Sequence, residues 1–343
     1  MFKNQSYKSY KENLDFVRSC SNWNELHNLS KTINQKFFLN SKYKNKLKSV
    51  EKKMNDILCD DSWMGHCAKY QLQSGGKRFR ALLALIASDI FKINQDNAIY
   101  AAICCELIHN ASLIHDDLQD RDLLRRGLPT IWNRFGDHTA INLGDYFIAG
   151  SFEALSKIKG NPENKCKAIE HLSYTIQQTV KGQSLEILER SNLNLRMQEY
   201  ESTAKAKTGG LICWPIKLIM ILNGQKNIDE IDFKPLYEAG LAYQIQDDLS
   251  DFLGIKDRGL PGRDLKEGKM NVLIMHYIEN ASPGEKFLLQ EFLKKRFDSI
   301  SEEEIQHWIT QIQKKEGLER SIIHLDKVAR KAIELSKKDD KIN

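Results

Sequence analysis

The stretch at 98–118 is so dense in apolar residues that a helix built from it has almost no polar face, which places it in a protein interior. Its last turn carries Asp116-Asp117-Leu118-Gln119-Asp120, and far downstream a second apolar stretch at 241–246 leads into Asp247-Asp248-Leu249-Ser250-Asp251. On a helix positions i and i+4 share a face, so Asp116 lines up with Asp120, and Asp247 with Asp251. Carboxylates gathered at the end of an apolar face are costly unless a cation or a basic group compensates them. Two such clusters facing one another would hold several Mg²⁺ ions.

The rest of the chain follows the same helical pattern. Only six prolines and nineteen glycines punctuate 343 residues, and alternating β-branched runs are scarce, so the expected fold class is all-α. Helical stretches are predicted at 82–90, 140–155, 168–188, 197–206, 211–222, 236–252 and 272–279, with a more charged outer layer at 287–335. Residues 1–70 are rich in Lys and Asn. Weak periodicity in Leu14, Phe16 and Val17, and in Leu47, Val50, Met54, Ile57 and Leu58, predicts an N-terminal helical extension packed on the core. No linker rich in Gly, Ser or Pro divides residues 71–343, which are expected to form one domain with a buried core.

Several function classes drop out on composition. The net charge of +5 comes from scattered lysines, whereas a nucleic-acid protein concentrates its charge. Seven cysteines make an odd count with no Cys-x-x-Cys pair, which speaks against zinc and a disulfide framework and for a reducing, cytoplasmic location. The start, Met1 to Lys8, has no apolar core that would serve as a signal peptide. The stretch at 211–222 is interrupted by Pro215 and Lys217 and falls short of the roughly 20 apolar residues that span a bilayer, so no membrane span is expected.

Four basic groups accompany the acidic runs. Gly75-Gly76-Lys77-Arg78-Phe79-Arg80 precedes an apolar helix, Arg125-Arg126-Gly127 follows the first run, Lys207-Thr208-Gly209-Gly210 precedes another apolar helix, and 262–269 follows the second run and includes Lys269. Backbone amides at a helix start with nearby cations suit an anion such as a phosphate. Each group also has an ordinary meaning: a solvated helix start, ion pairs of Arg125 and Arg126 with the adjacent carboxylates, satisfied core histidines for His109 and His115, a surface stripe for Gln183 and Glu186. The set, however, shares one electrostatic logic. Mg²⁺ is usually held by one or two carboxylates plus substrate phosphates, so paired Asp runs ringed by Lys and Arg describe a diphosphate site. The cations are too many for one diphosphate, which points to two.

On these residues the chain resembles the trans-isoprenyl diphosphate synthases, the polyprenyl synthetase family. The matching stretches are 75–80, 109–127, Gly144-Asp145, 182–186, Lys207-Thr208, 244–251 and 264–269, spanning about 200 residues in the family's order. The resemblance implies an isoprenoid synthase-type helical bundle around a central cavity, working as a homodimer, with 71–343 as the catalytic domain. It also implies transfer of an allylic diphosphate's prenyl group onto isopentenyl diphosphate, head to tail, with release of diphosphate. Asp116, Asp120 and Asp247 would be the main ligands of Mg²⁺, three ions with the allylic diphosphate bound, with Asp251 as a further ligand and Asp117 and Asp248 in support. Arg125, Lys207, Thr208, Gln244 and Lys269 would bind or flank that diphosphate. Lys77, Arg80, His109 and Arg126 would hold the diphosphate of isopentenyl diphosphate.

Two places depart from the family pattern. The loop after Asp251 is shorter by about two residues and has Leu260 where a lysine is usual, leaving Lys256, Arg258 or Arg263 as substitutes; Glu186 stands where the family commonly has Asp. Ala111 and Ser112, one turn before Asp116, are small and leave room for a product of about twenty carbons or longer, while Tyr146 and Phe147 as a floor would keep fifteen carbons open. A class I terpene cyclase on the same fold would have no use for the second clamp of Lys77, Arg80, His109 and Arg126. A metal-dependent phosphohydrolase built on His115-Asp116 would leave 247–251 and Lys207-Thr208 unexplained, and a non-catalytic partner subunit tends to lose an Asp run.

Overall fold

The structure is a computed structural model that describes residues 41–228, 231–255 and 261–338. Leu14, Phe16 and Val17, and Lys256, Arg258 and Leu260 of the loop, lie outside the described residues. Within them the chain is all-α, apart from a two-residue antiparallel ladder that pairs Leu124 with Pro129 and Arg125 with Leu128.

Two compact units emerge, each with its own core. The first combines residues 41–177 with Leu211–Asp232. It contains α1 (Ser41–Leu58), α2 (Trp63–Gln73), α3 (Phe79–Ile90), α4 (Gln95–Gln119), α5 (Ile131–Phe135) and α6 (Asp137–Ser156). Helix α4 is the predicted interior helix: Ala101, Ala102, Ile103, Cys104 and Leu107 are all 0% exposed. Its start is set by Asn94, whose side chain accepts the Asn97 amide at 2.9 Å. By length and composition α4 could cross a membrane, yet 72% of its apolar window is buried inside the protein. That burial is what an apolar core helix of a globular fold requires. Helix α6 packs along α4 with Leu143, Phe147 and Ala154 in the core, and α1 adds Val50, Met54 and Leu58.

The second unit combines Gln178–Gly210 with 233–338. Helix α7 (Pro162–Leu188) enters it at its C-terminal end, followed by α8 (Met197–Ala204) and a π-helical turn (Lys205–Gly209), after which α9 (Gly210–Leu222) belongs again to the first unit. Then come α10 (Lys234–Phe252), α11 (Arg263–Lys266), α12 (Val272–Asn280), α13 (Pro283–Leu293), α14 (Glu302–Lys314) and α15 (Gly317–Lys338). Leu241, Ile245 and Leu249 of α10 recur every four residues and are wholly buried among Val272, Leu273, Ile274, Ile312 and Leu318. Each such side chain contributes about 1.5–3 kcal/mol. Capping boxes start α13 (Ser282 with Glu285) and α14 (Ser301 with Glu304), which divides the charged segment at 287–335 into separate helices.

The predicted stretch at 197–206 ends differently in the structure. The α-helix stops at Ala204, a π turn inserts Lys205–Gly209, and the chain continues without interruption into α9. One extra residue in a turn shifts no apolar residue far enough to show in periodicity, and π turns of this kind gather at functional sites.

Candidate active site

Both acidic runs occupy the C-terminal end of their helix. Asp116 and Asp117 lie in the last turn of α4, and Asp120 caps it with its N–H donated to the Asp116 carbonyl at 2.8 Å. Asp247, Asp248 and Asp251 close α10. A helix C-terminus already carries roughly half a negative charge, so carboxylates there are destabilised until a cation arrives.

Within each run the structure assigns the two adjacent aspartates to different environments. Asp116 and Asp247 are half-buried, whereas Asp117 and Asp248 are buried. Asp117 receives Arg125, whose Nε donates to both carboxylate oxygens at 2.7 and 2.8 Å. Asp248 accepts hydrogen bonds from the Tyr200 hydroxyl at 2.7 Å, the Val272 amide at 3.1 Å and Gln244 Nε2 at 2.9 Å. Three elements, α8, α10 and α12, are thereby joined at one carboxyl group. Burial, with the nearby Asp264 carboxylate, pushes that group up to about 7. Asp251 accepts the Asp264 amide at 3.0 Å and its carbonyl accepts the Gly262 amide at 3.1 Å, which fastens the far end of the loop to α10.

The first unit also holds the cations predicted for a second diphosphate. Lys77 is exposed and Arg80, in the first turn of α3, is half-buried. Arg78, between them, turns inward with a left-handed backbone (φ 49°) and is buried, donating to Glu51 at 3.2 Å and to the Leu72 carbonyl at 2.9 Å. Glu106 of α4 accepts the Ala81 amide at 3.1 Å and so caps α3 across the core. Arg126 donates to the Gly75 carbonyl, and its guanidinium lies against Gly76, whose φ of 132° favours glycine. His109 Nδ1 is buried with no hydrogen-bond partner among the described residues. Burial, then Arg80, Arg125, Arg126 and Arg78, drive its pKa well below the ordinary 6.5, so the ring is neutral at neutral pH. Four guanidiniums thus surround a neutral imidazole, two of them, Arg78 and Arg125, already paired with carboxylates.

In the second unit the π turn presents Lys207 and Thr208. Thr208 Oγ1 donates to Gln244 Oε1 at 3.2 Å, and Gln244 in turn donates to Asp248, a relay from the turn to the acidic run. Lys207 and Lys269 both place their ammonium on Glu186 Oε1, at 2.9 and 3.4 Å. Glu186, Gln244, Asp248, Lys269 and Asn271 line one cleft. Gly240 of α10 makes the turn possible: a Cβ there would lie 2.6 Å from the Gly209 Cα. Gly240→Ala is therefore expected to cost about 1–3 kcal/mol through overpacking, and to displace Lys207. A thermal melt and an activity assay on the same preparation read both effects.

Of the residues expected to set product length, Ala111 is buried and Ser112 donates to the His109 carbonyl at 2.8 Å. Phe147 is wholly buried in the first unit's core, and the Tyr146 hydroxyl donates to the Leu58 carbonyl at 3.2 Å. Arg263 donates to Glu267 at 2.7 Å. Sequence patterns did not mark Tyr200 or Asn271, nor the inward turn of Arg78, because these contacts reach across elements. Glu106 had a usable signal, standing three residues before His109 on the same helix.

The donor set fits Mg²⁺ held jointly with a phosphate. No group of three His, Cys, Asp or Glu side chains gathers into a metal cage among the described residues, while Asp116 and Asp120 share a helix end. Mg²⁺ needs no more than one or two carboxylates when substrate phosphates complete its shell.

Helical units whose acidic C-termini are accompanied by basic clusters define an enzyme of the isoprenoid synthase class. The sequence profile of polyprenyl synthetases matches residues 61–312. The chain is 32% identical to the short chain isoprenyl diphosphate synthase of Methanocaldococcus jannaschii, over 78% of this chain and 81% of that one. It is 30% identical to heptaprenyl diphosphate synthase component 2 of Bacillus subtilis, over 83% and 80% of the two chains. The geranylgeranyl pyrophosphate synthetase structure from Pyrococcus horikoshii superposes with a TM-score of 0.71 at 26% identity, covering 84% of this chain and 90% of that one. The chain belongs to the polyprenyl synthetase family and is a prenyltransferase.

Proposed function

We propose that this prenyltransferase joins an allylic diphosphate to isopentenyl diphosphate, head to tail, and releases diphosphate. The carrying observation is that the acidic helix ends are matched by two separate cation clusters, one around Arg80, His109 and Arg126 and one around Lys207 and Lys269. A terpene cyclase needs only one diphosphate clamp.

Asp116, Asp120, Asp247 and Asp251 are the residues that would hold Mg²⁺, three ions in the full reading. When bound, the ions stabilise the negative charge that builds on the departing diphosphate. Lys207, Thr208, Gln244 and Lys269 bind or flank that leaving group, and Arg125 orients Asp117 beside it. Lys77, Arg80, His109 and Arg126 hold the second diphosphate so that the isopentenyl double bond sits at close range. As the allylic C–O bond breaks, the double bond attacks the resulting cation. The proton then lost from the isopentenyl unit goes to the released diphosphate, so no side-chain base is required.

The small Ala111 and Ser112 support a geranylgeranyl or longer product, and the relatives' names span short to heptaprenyl chains. A cytoplasmic location, supported by six described cysteines without disulfides, and a homodimer complete the proposal. Purified protein given Mg²⁺, isopentenyl diphosphate and dimethylallyl, geranyl or farnesyl diphosphate should yield elongated products that chromatography can size. No elongation from any primer would overturn the proposal. Chelation of the metal should stop turnover, and added Mg²⁺ should restore it.

A further inference from the structure

Lys207 and Lys269 meet at one carboxylate. Both ammoniums contact Glu186 Oε1, and all three side chains keep only 15% of their surface exposed. They arrive from different elements of the second unit: Lys207 from the π turn, Lys269 from the segment after α11, Glu186 from the last turn of α7. Two ammoniums held so close repel one another, and one carboxylate between them offsets that repulsion. Glu267 is 3.8 Å from Lys269 and its other oxygen accepts from Arg263 Nε at 2.7 Å, whereas Glu186 Oε1 touches both lysines.

We propose that Glu186 is a positioning residue that takes the place of a diphosphate between Lys207 and Lys269 and competes with it. This rests on the reading above, in which the two lysines hold the leaving diphosphate. Side-chain reach matters: an aspartate here would be one methylene short of the oxygen that now touches both ammoniums. With glutamate, the cations are kept charged, close together and aimed at one point before substrate arrives. An incoming diphosphate meets cations already neutralised and a carboxylate of its own sign. It must displace that carboxylate or bind beside it, and in either case the lysine–glutamate contacts are subtracted from its affinity. Product diphosphate, which makes the same contacts, leaves faster for the same reason.

The test is calorimetric titration of inorganic diphosphate with Mg²⁺ into the full chain. Glu186→Gln keeps the size of the side chain and removes its charge. It should lower the dissociation constant at least about fivefold, the lower end of ordinary site coupling, and steepen its salt dependence. The KM for the allylic diphosphate should fall with it, while kcat stays level or drops as release slows. A merely structural Glu186 would instead give unchanged or weaker binding with a lower Tm, and that result overturns the proposal. Lys207→Ala separates the two ideas. If it leaves diphosphate binding unaltered, the reading of the lysines fails; if it weakens binding while Glu186→Gln does not tighten it, only the competition fails. Should Glu186→Gln not fold, Glu186→Asp carries the test: it withdraws the carboxylate from both ammoniums and should tighten binding by a smaller factor, and no tightening overturns the idea.

Discussion

Asp116→Ala is expected to lower turnover by about 10²–10³-fold or more, the usual scale for removing one group that stabilises charge in a transition state, while the helical content stays native. The expectation rests on position. Asp116 is half-buried in the last turn of α4, where the helix end is already negative. Removing a carboxylate there relieves roughly 0.3–1 kcal/mol of unfavourable interaction with the helix dipole. Activity should therefore fall far more than stability, a combination that general unfolding cannot produce. Steady-state assay with saturating Mg²⁺, together with far-ultraviolet circular dichroism and a thermal melt, checks it. Appreciable turnover in the folded variant would contradict the metal role assigned to Asp116.

Asp248→Ala should behave in the opposite way, by losing the fold locally. Its carboxyl group accepts hydrogen bonds from Tyr200, Val272 and Gln244, and the residue is only 3% exposed. Truncation orphans two buried donors, the Tyr200 hydroxyl and the Val272 amide, each worth about 1–3 kcal/mol when left unsatisfied, and frees the half-buried Gln244 amide. The cost of burying Asp248 beside Asp264, which raises its pKa, offsets part of this. A net loss of at least about 2 kcal/mol is expected, seen as a Tm lowered by about 5 °C in a domain of this size. Tyr200→Phe removes one of the three donors together with its need, so it should cost far less. A melt of Asp248→Ala within a degree of the native chain would show that the three-way junction does not hold these helices together.

How much of this was legible in the sequence differs from residue to residue. Helices such as Lys234–Phe252 and Val272–Asn280 appear within two residues of their predicted limits, because Leu241, Ile245 and Leu249 repeat at the spacing of one helix face. The basic hexapeptide was visible as a cluster, but nothing in its pattern said that Arg78 would fold inward to Glu51 while Lys77 stayed exposed. The π turn at Lys205–Gly209 was hidden because the close packing that accompanies it is against Gly240, distant in the chain. Arg125 following three carboxylates allowed either an ion pair or a substrate contact; the structure places it on Asp117.

The sequence by itself determined the all-α class, the helix ends that carry Asp116–Asp120 and Asp247–Asp251, and membership of the family. These depend on local periodicity and on residue types at short spacing, which a linear chain records directly. Only the tertiary structure decided which aspartate of each pair is enclosed by protein partners, and that Glu186 stands between Lys207 and Lys269. The physical reason is range: burial and ion pairing are set by groups that folding brings together from distant parts of the chain, and identical local words such as Asp116-Asp117 and Asp247-Asp248 acquire their chemistry from those neighbours.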